Sequence, residues 1–597
     1  MLKNYFTLLA LFACEIALYS ASPLQVAQLT CEYLENPLGI DVQKPRLAWL
    51  FSTTARNQSQ SAYEIQVSKD PKSLEQGKDS PWSTGKVNST QNLHIEYGGV
   101  PLQSFTRYYW KVRVYNQNGE ASEWSKTAWF ETAMLNPADW RGQWINDGSV
   151  QPEKDEQFYG DDPMPLFRKM FTPTKKVTSA RLYLSGLGYS EAYLNGQKIS
   201  ENVLDPGFTT YRKQAFYVVH DLTPHVQKGN NTLGIMLGNG WWNPLPLRLF
   251  SRFNLRDHQE NGRPCLKAEI HLSYADGSKE VIVSDNSWET APGPILRNNV
   301  YLGEHYDARL EKPFNDPKPW KKASQTAGPS GRLSAQLLPP IRVTNVIRPR
   351  SIKAIGSDTF LVDLGQNFAG VARIRVQGAA GTKITMRFGE DTLKNGQLNW
   401  WSSVAGQIKE AWGANGGPGA PKTAWQKDEY ILKGEGVETW VPRFTFHGFR
   451  YIEVVGWPGT PTLDDISGLR MNTDLEQNGH FECSNPMFNQ LHEVIQWTFL
   501  SNVFSVQSDC PAREKMGYGA DMVVSSEAYL YNYNMAQFYE KTVQDFANEQ
   551  RPEGGITELA PFTGIADRGY GDQSGPLGWQ LGFPFLHDKS QPKQFLN

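Results

Sequence analysis

Ala180-Arg181-Leu182-Tyr183-Leu184-Ser185 leads to Glu191-Ala192-Tyr193-Leu194-Asn195-Gly196-Gln197-Lys198-Ile199, and the reading of this stretch decides that of most of the chain. The two runs read as strands, and Asn195-Gly196 supplies the two positive-φ positions of a type I′ hairpin turn. Tight turns between short strands predict antiparallel β-sandwich packing, here over residues 135–330.

The same grammar extends outward. Upstream, Ser61–Val67, Tyr108–Tyr115 and Trp129–Thr132 alternate with period two, the pattern of half-buried strands, and Asn116-Gln117-Asn118-Gly119 is a turn candidate. This unit, residues 23–134, resembles a fibronectin type III module and reads as a spacer without ligand; Asn136-Pro137-Ala138-Asp139-Trp140 marks a linker. Downstream, Trp241-Trp242 between glycine and asparagine fits either a sugar-stacking platform or core packing at a sheet edge. A third β unit, residues 331–460, is built around Phe360–Gly370 and Ile374–Val376 and closes after Phe444–Tyr451. Within it, Gly413–Pro421 is Gly-, Ala- and Pro-rich and predicts a mobile surface loop, while His447 reads as a hydrogen-bonded structural histidine.

From residue 461 the period changes. Asn485-Pro486 is a helix start, followed by Phe488, Leu491, Ile495, Thr498 and Phe499 at three- and four-residue steps. Asp521–Tyr533 and Met535–Asn548 predict two more helices, the second with Phe538, Val543 and Phe546 inward. Consecutive amphipathic helices suggest a helical barrel or toroid, and three of them cannot close one, so residues 461–597 are expected to be an incomplete domain.

Composition excludes several classes of partner. With 59 basic against 62 acidic residues among 597, nothing asks for nucleic acid or an anionic membrane, and the expected partner is neutral. The 19 Trp and 25 Tyr suit stacking on sugar faces, although sandwich cores also consume Trp. Cys31, Cys265, Cys483 and Cys510 are scattered with no CxxC pair, and no acid cluster suggests calcium, so neither metal nor cofactor is expected. Met1–Ser22 has a basic start, an apolar run too short to span a bilayer and small residues at its end: a secretory leader, implying a periplasmic or extracellular protein. Leu11-Phe12-Ala13-Cys14 loosely resembles a lipoprotein processing site, the alternative reading of the same segment.

One loop concentrates chemistry. Asp509-Cys510-Pro511-Ala512-Arg513-Glu514-Lys515-Met516-Gly517-Tyr518-Gly519-Ala520-Asp521 sets three carboxylates and Arg513 on backbone that Pro511, Gly517 and Gly519 bias away from helix. Paired carboxylates beside aromatics in an exported multi-sandwich chain favour glycoside hydrolysis, although any single acid in such a loop is more often a cap or a solvated group.

The run Asp509-Cys510-Pro511-x-Arg513-Glu514-Lys515-Met516-Gly517-Tyr518 closely resembles the motif Asp-Cys-Pro-x-Arg-Glu-Lys-Leu-Gly-Trp of bacterial α-L-rhamnosidases, glycoside hydrolase family 78. Cys31–Asp41 with Pro45-Arg46-Leu47-x-Trp49 is similar to that family's opening, and Asp363–Asn367 and Phe446–Tyr451 to its sandwich landmarks. The resemblance implies a rhamnosidase N-terminal β-sandwich, a concanavalin-like sandwich and the start of an all-α (α/α)6 barrel. It implies inverting hydrolysis of terminal α-L-rhamnose from glycosides or polysaccharides, with Glu514 as general acid and Asp509 and Arg513 holding sugar hydroxyls. Tyr518 replaces a usual Trp as the stacking ring, Asp521 helps fix the substrate, and Asp572 belongs to another cleft segment. The polar run His587–Lys593 stands where the family continues into helices, so the half carrying the general base is expected to be absent and the chain weakly active or inactive, the alternative being a non-catalytic carbohydrate-binding remnant. The sequence does not indicate an oligomeric state.

Overall fold

Residues 24–76, 82–317, 319–552 and 554–565 are described by the computed structural model, and they divide into two compact units meeting at Leu135 and Asn136. The leader segment, Asp572 and the polar run from His587 lie outside the described residues.

In the first unit the alternating runs form strands Gln60–Ser68, Arg107–Asn116 and Ala128–Thr132, adjacent members of a six-stranded sheet. A three-stranded sheet of Gln25–Cys31, Arg46–Ser52 and Ile95–Glu96 completes the β structure. Trp49, Ile65, Trp110, Val112 and Phe130 are fully buried. The Trp49 indole N–H, which burial would otherwise leave unpaired, donates to Gln60 Oε1 at 2.9 Å. A helical turn, α1 (Pro71–Gln76), caps the run after Gln60–Ser68.

In the second unit, strand Val177–Leu187 lies between Cys265–Tyr274 and Gln214–Asp221 in a seven-stranded sheet. At Gly188 the chain leaves that sheet: its φ is +98°, and a Cβ there would come within 2.1 Å of the Gly238 carbonyl, so only glycine fits. Ser190–Leu194 then joins a six-stranded sheet, paired with Asn231–Leu237 and, through the turn at Asn195 and Gly196, with Gln197–Lys198. The turn residues have φ of 54° and 82°, the type I′ signature read from Asn-Gly. Phe167, Leu182, Leu184, Leu233, Ile235 and Trp288, drawn from both sheets, fill the space between them. Each such fully buried side chain contributes roughly 1.5–3 kcal/mol of transfer free energy.

The third assembly is an eleven-stranded sheet organised on the 19-residue strand Thr359–Gln377. Its register against His447–Val455 slips between Asp363 and Phe368, and there Asp363 accepts from Arg450 Nε at 2.8 Å and from Gly365 N at 2.7 Å. The two sequence landmarks are thus paired strands. Strands Asn202–Val203, Ile295–Asn299 and Gly303–Asp307, which precede residue 331, also belong to this sheet. So does Ile466–Thr473, which finds ladder partners on both sides, so the helical pattern expected from residue 461 is not realised before the helix that starts, as its sequence signal indicated, at Pro486.

Three helices follow: α2 (Pro486–Ser501), α3 (Gly519–Asn532) and α4 (Ala536–Asn548). Asn485 caps α2, its Oδ1 accepting from Met487 N at 3.0 Å. Phe538 and Phe546 of α4 are buried as their spacing predicted. The periodic set of α2 behaves differently: Phe488, Leu491 and Ile495 are exposed among the described residues. Among these residues no helix is long and apolar enough to cross a membrane.

Candidate active site

The loop between α2 and α3 is closed on itself by one backbone bond and one bond to a side chain. Asp509 N–H donates to Met516 O at 3.1 Å, and Met516 N–H returns a 3.1 Å bond to Asp509 Oδ1. The tight path puts Lys515 at φ +60°, a conformation that costs a non-glycine residue roughly 1 kcal/mol. Specific contacts of its buried side chain hold it there: Lys515 Nζ donates to Phe446 O at 2.5 Å and lies 3.6 Å from the centre of the Phe446 ring.

Neighbouring elements fix the loop from outside. Gln426, fully buried, donates from Nε2 to Ala512 O at 2.8 Å and to Ser403 O at 2.5 Å. Gly406 N–H donates to Arg513 O at 2.9 Å, and the buried Tyr301 hydroxyl donates to Glu514 O at 2.7 Å. Gly448 leaves room for the turn, since a Cβ there would come within 3.1 Å of Pro511 Cγ. On the helical side Ala560 N–H donates to Gly517 O and Gly519 N–H to Glu558 O.

Onto this backbone the sequence places its acids. Glu514 is half-buried and its Oε2 accepts from the Tyr518 hydroxyl at 2.8 Å. Burial raises its pKa above the ordinary carboxyl value; the charges of Asp509 and Asp521 push the same way, while the Tyr518 bond and the Arg513 charge pull it down. Asp509 is also raised, by burial first, with Asp521 adding to it despite the bonds it accepts. The neighbouring Cys510 thiol is pushed up to about 12 by burial and by Asp509, so it stays protonated. Asp521 sits in the exposed first turn of α3, where a helix N-terminus favours an anion. Glu514 and Asp509 are thus both half-buried carboxyls raised by burial, and each is placed to hold a proton.

The structure therefore brings Asp509, Arg513, Glu514, Tyr518 and Asp521 together, with Asp572 outside the described residues. The stacking-platform reading of Trp241 and Trp242 is overturned: they are 2% and 4% exposed. Trp241 stacks on Phe208 and meets the Tyr301 ring edge-on at 5.9 Å, and Trp242 Nε1 donates to Arg263 O, so the pair is core behind the loop. His447 is fully buried and faces Asp428 at 3.0 Å, a structural pair whose acid lies nineteen positions away in sequence. The Gly-rich run Gly413–Pro421 is irregular but held, with Arg248 N–H donating to Gly416 O. Sequence reasoning missed Tyr301, Gln426 and Gly406; their partners are backbone carbonyls distant in sequence, and no local signal marks such a contact.

Consecutive segments match four family models: the Rha78A-like N-terminal immunoglobulin domain at residues 26–136, the α-L-rhamnosidase N-terminal domain at 175–345, the bacterial α-L-rhamnosidase concanavalin-like domain at 353–472 and the bacterial α-L-rhamnosidase 6 hairpin glycosidase domain at 476–588. The chain belongs to the bacterial α-L-rhamnosidases of glycoside hydrolase family 78. Among members of this family, an α-L-rhamnosidase of Formosa agariphila is 33% identical over 93% of the chain and 59% of its own length. One of Streptomyces avermitilis is 28% identical over 94% of the chain and 68% of its own length. Of solved structures, the α-L-rhamnosidase from Dictyoglumus thermophilum superposes with a TM-score of 0.81 at 35% identity, covering 91% of this chain and 59% of that one. The Streptomyces avermitilis enzyme complexed with L-rhamnose superposes at 0.78 and 28% identity, covering 91% and 66%. The chain thus spans about 59% of the length of the first rhamnosidase it matches.

Proposed function

We propose that this chain provides the rhamnose-binding and proton-donating side of an inverting α-L-rhamnosidase site. The observation that carries the proposal is Glu514: a half-buried carboxyl with a raised pKa, on a backbone fixed by Tyr301. Glu514 gives its proton to the glycosidic oxygen as the bond from that oxygen to the anomeric carbon breaks. A water adds to the opposite face of that carbon and loses a proton to a second carboxylate, which inverts the centre. Arg513 donates to sugar hydroxyls and Asp509 accepts from them through the oxygen not engaged by Met516. Tyr518 offers its ring to the apolar edge of the sugar while its hydroxyl orients Glu514; Asp521 keeps the acid's proton on by charge, and Asp572 adds a further polar contact. The likeness to the rhamnose-bound Streptomyces avermitilis structure supports the choice of sugar. Helices α2 to α4 are the opening hairpins of an (α/α)6 barrel, a reading supported by the match of residues 476–588 to the 6 hairpin glycosidase domain. The domain limits are those expected, 23–134, 135–330, 331–460 and 461–597, with the last boundary moved past strand Ile466–Thr473, after a cleaved leader that exports the protein.

The test is release of an aryl alcohol from an aryl α-L-rhamnoside, by the chain alone and joined to the C-terminal portion of the Formosa agariphila relative. Glu514→Gln lowers release by about 100- to 10,000-fold, the usual weight of a general acid. Undiminished release by that variant would overturn the assignment.

A further inference from the structure

Beside the loop lies an aromatic row that the proposed chemistry leaves unused. Trp400 and Trp401 open the short helix Trp400–Ser403, Trp412 ends another at Glu410–Trp412, and Trp425 precedes strand Lys427–Ile431. Their ring centres follow one another at 3.9 Å from Trp425 to Trp400, 3.9 Å from Trp400 to Trp401, and 6.0 Å from Trp401 to Trp412. The last two planes are inclined by only 16°. Lys409, itself buried, sits between them, its Nζ 3.6 Å from the Trp412 ring centre and 5.1 Å from that of Trp401, and donates to Trp401 O at 3.1 Å. Trp412 is nevertheless 64% exposed. A ring gripped on one face by a buried cation and open on the other is held ready for a flat ligand.

The row is physically continuous with the loop. Gly406, between Trp401 and Trp412 in sequence, donates its N–H to Arg513 O at 2.9 Å, and Gln426, next to Trp425, donates to Ala512 O. Arg513 acts by charge on both Lys409 and Glu390. Glu390 N–H donates to Ser402 Oγ at 3.0 Å, and its carboxyl accepts from Asn367 Nδ2, leaving a polar group at the inner end of the row.

We propose that Trp412, backed by Trp401 and Lys409, forms a subsite for the leaving-group side of the glycoside, its open face stacking a ring with a flat apolar face. The proposal rests on rhamnose being held at the Asp509–Tyr518 loop. The shared chemistry is the flat face, supplied either by an aryl aglycone or by the C–H face of a second pyranose.

Calorimetry of the full chain with L-rhamnose, a para-nitrophenyl thio-α-L-rhamnoside and a sulfur-linked rhamnosyl-glucose disaccharide tests it, the sulfur link preventing cleavage. Trp412→Ala weakens the two glycosides by about 3- to 10-fold, in line with the usual worth of aromatic stacking, and leaves L-rhamnose unchanged; Trp412→Phe restores part of the loss. Loss confined to the thioglycoside assigns the subsite to aryl groups, and loss confined to the disaccharide assigns it to sugar. If Asp509→Asn abolishes L-rhamnose binding while Trp412→Ala changes nothing, the subsite is refuted and the proposed function stands. If L-rhamnose fails to bind but the glycosides bind through Trp412, the functional reading falls and the platform remains. Absence of binding by all three ligands overturns both.

Discussion

The Tyr518 hydroxyl donates to Oε2 of Glu514 over 2.8 Å, so the ring expected to face the sugar is also the immediate partner of the acid. A hydrogen bond given to a carboxylate favours its charged form, and here it opposes the upward push of burial and of Asp509. Tyr518→Phe removes that opposition. The Glu514 pKa then rises further, the protonated form persists to higher pH, and the alkaline limb of the glycosidase pH profile moves up. NMR titration of side-chain-labelled glutamate reads the same shift without turnover; a downward movement contradicts the arrangement.

Gln426 joins three segments through one amide: its Nε2 serves Ser403 O and Ala512 O, and its Oε1 lies 3.4 Å from Gly448 N. Gln426→Leu keeps much of the volume but leaves two buried carbonyls unpaired, at about 1–3 kcal/mol each. Urea unfolding followed by tryptophan fluorescence is expected to show a loss of about 2–4 kcal/mol. A loss below about 0.5 kcal/mol, the size of an ordinary surface change, means that the clamp is not formed.

Glu304 is a buried acid whose pKa is raised to about 8, chiefly by burial and also by Asp428, against the charge of Arg443 and the N–H groups of Arg443 and Phe444. Its Oε1 has no hydrogen-bond partner among the described residues. Because the folded pKa lies above the unfolded value of 4.5, its stabilising contribution is complete below 4.5, declines as pH rises and is gone above about 8. Glu304→Gln removes this dependence while keeping an acceptor for the two N–H groups. Relative to the parent, the variant gains stability between about pH 5 and 8, on the order of 3 kcal/mol, in urea titrations at each pH. A difference that stays flat across that window contradicts the raised pKa.

At the Asn195-Gly196 turn, Gly196 has φ +82° with nothing within 4 Å of a would-be Cβ, so strain there is purely conformational. Gly196→Ala costs about 1 kcal/mol by denaturant unfolding, and Gly196→Val costs more because a β-branched side chain tolerates this conformation least.

What could be read from the sequence follows how far each signal reaches. Asn195-Gly196 fixed a turn because φ > 0 is a property of two residues, and Asn485-Pro486 fixed a helix start because a cap is made within three. Motif order brought Asp509, Arg513, Glu514, Tyr518 and Asp521 together because they share one loop and the turn of helix after it. Side-chain alternation likewise announced the strands of the N-terminal immunoglobulin-like domain.

Tertiary structure decided the matters in which one segment meets another. It placed Ile466–Thr473 in a sheet after the point where helix was expected, since a strand is stabilised by ladder partners that its own residues do not specify. It buried Trp241 and Trp242, whose flanking glycine and asparagine suited an exposed platform equally well, and it held Trp412 in the open on Lys409 instead. It also supplied the support of Glu514, because Tyr301 lies 213 positions away and donates to a backbone carbonyl. The sequence by itself determined which acid is presented and on what kind of loop; the proton affinity of that acid was decided only by folding, because burial and neighbouring charges are properties of packed segments.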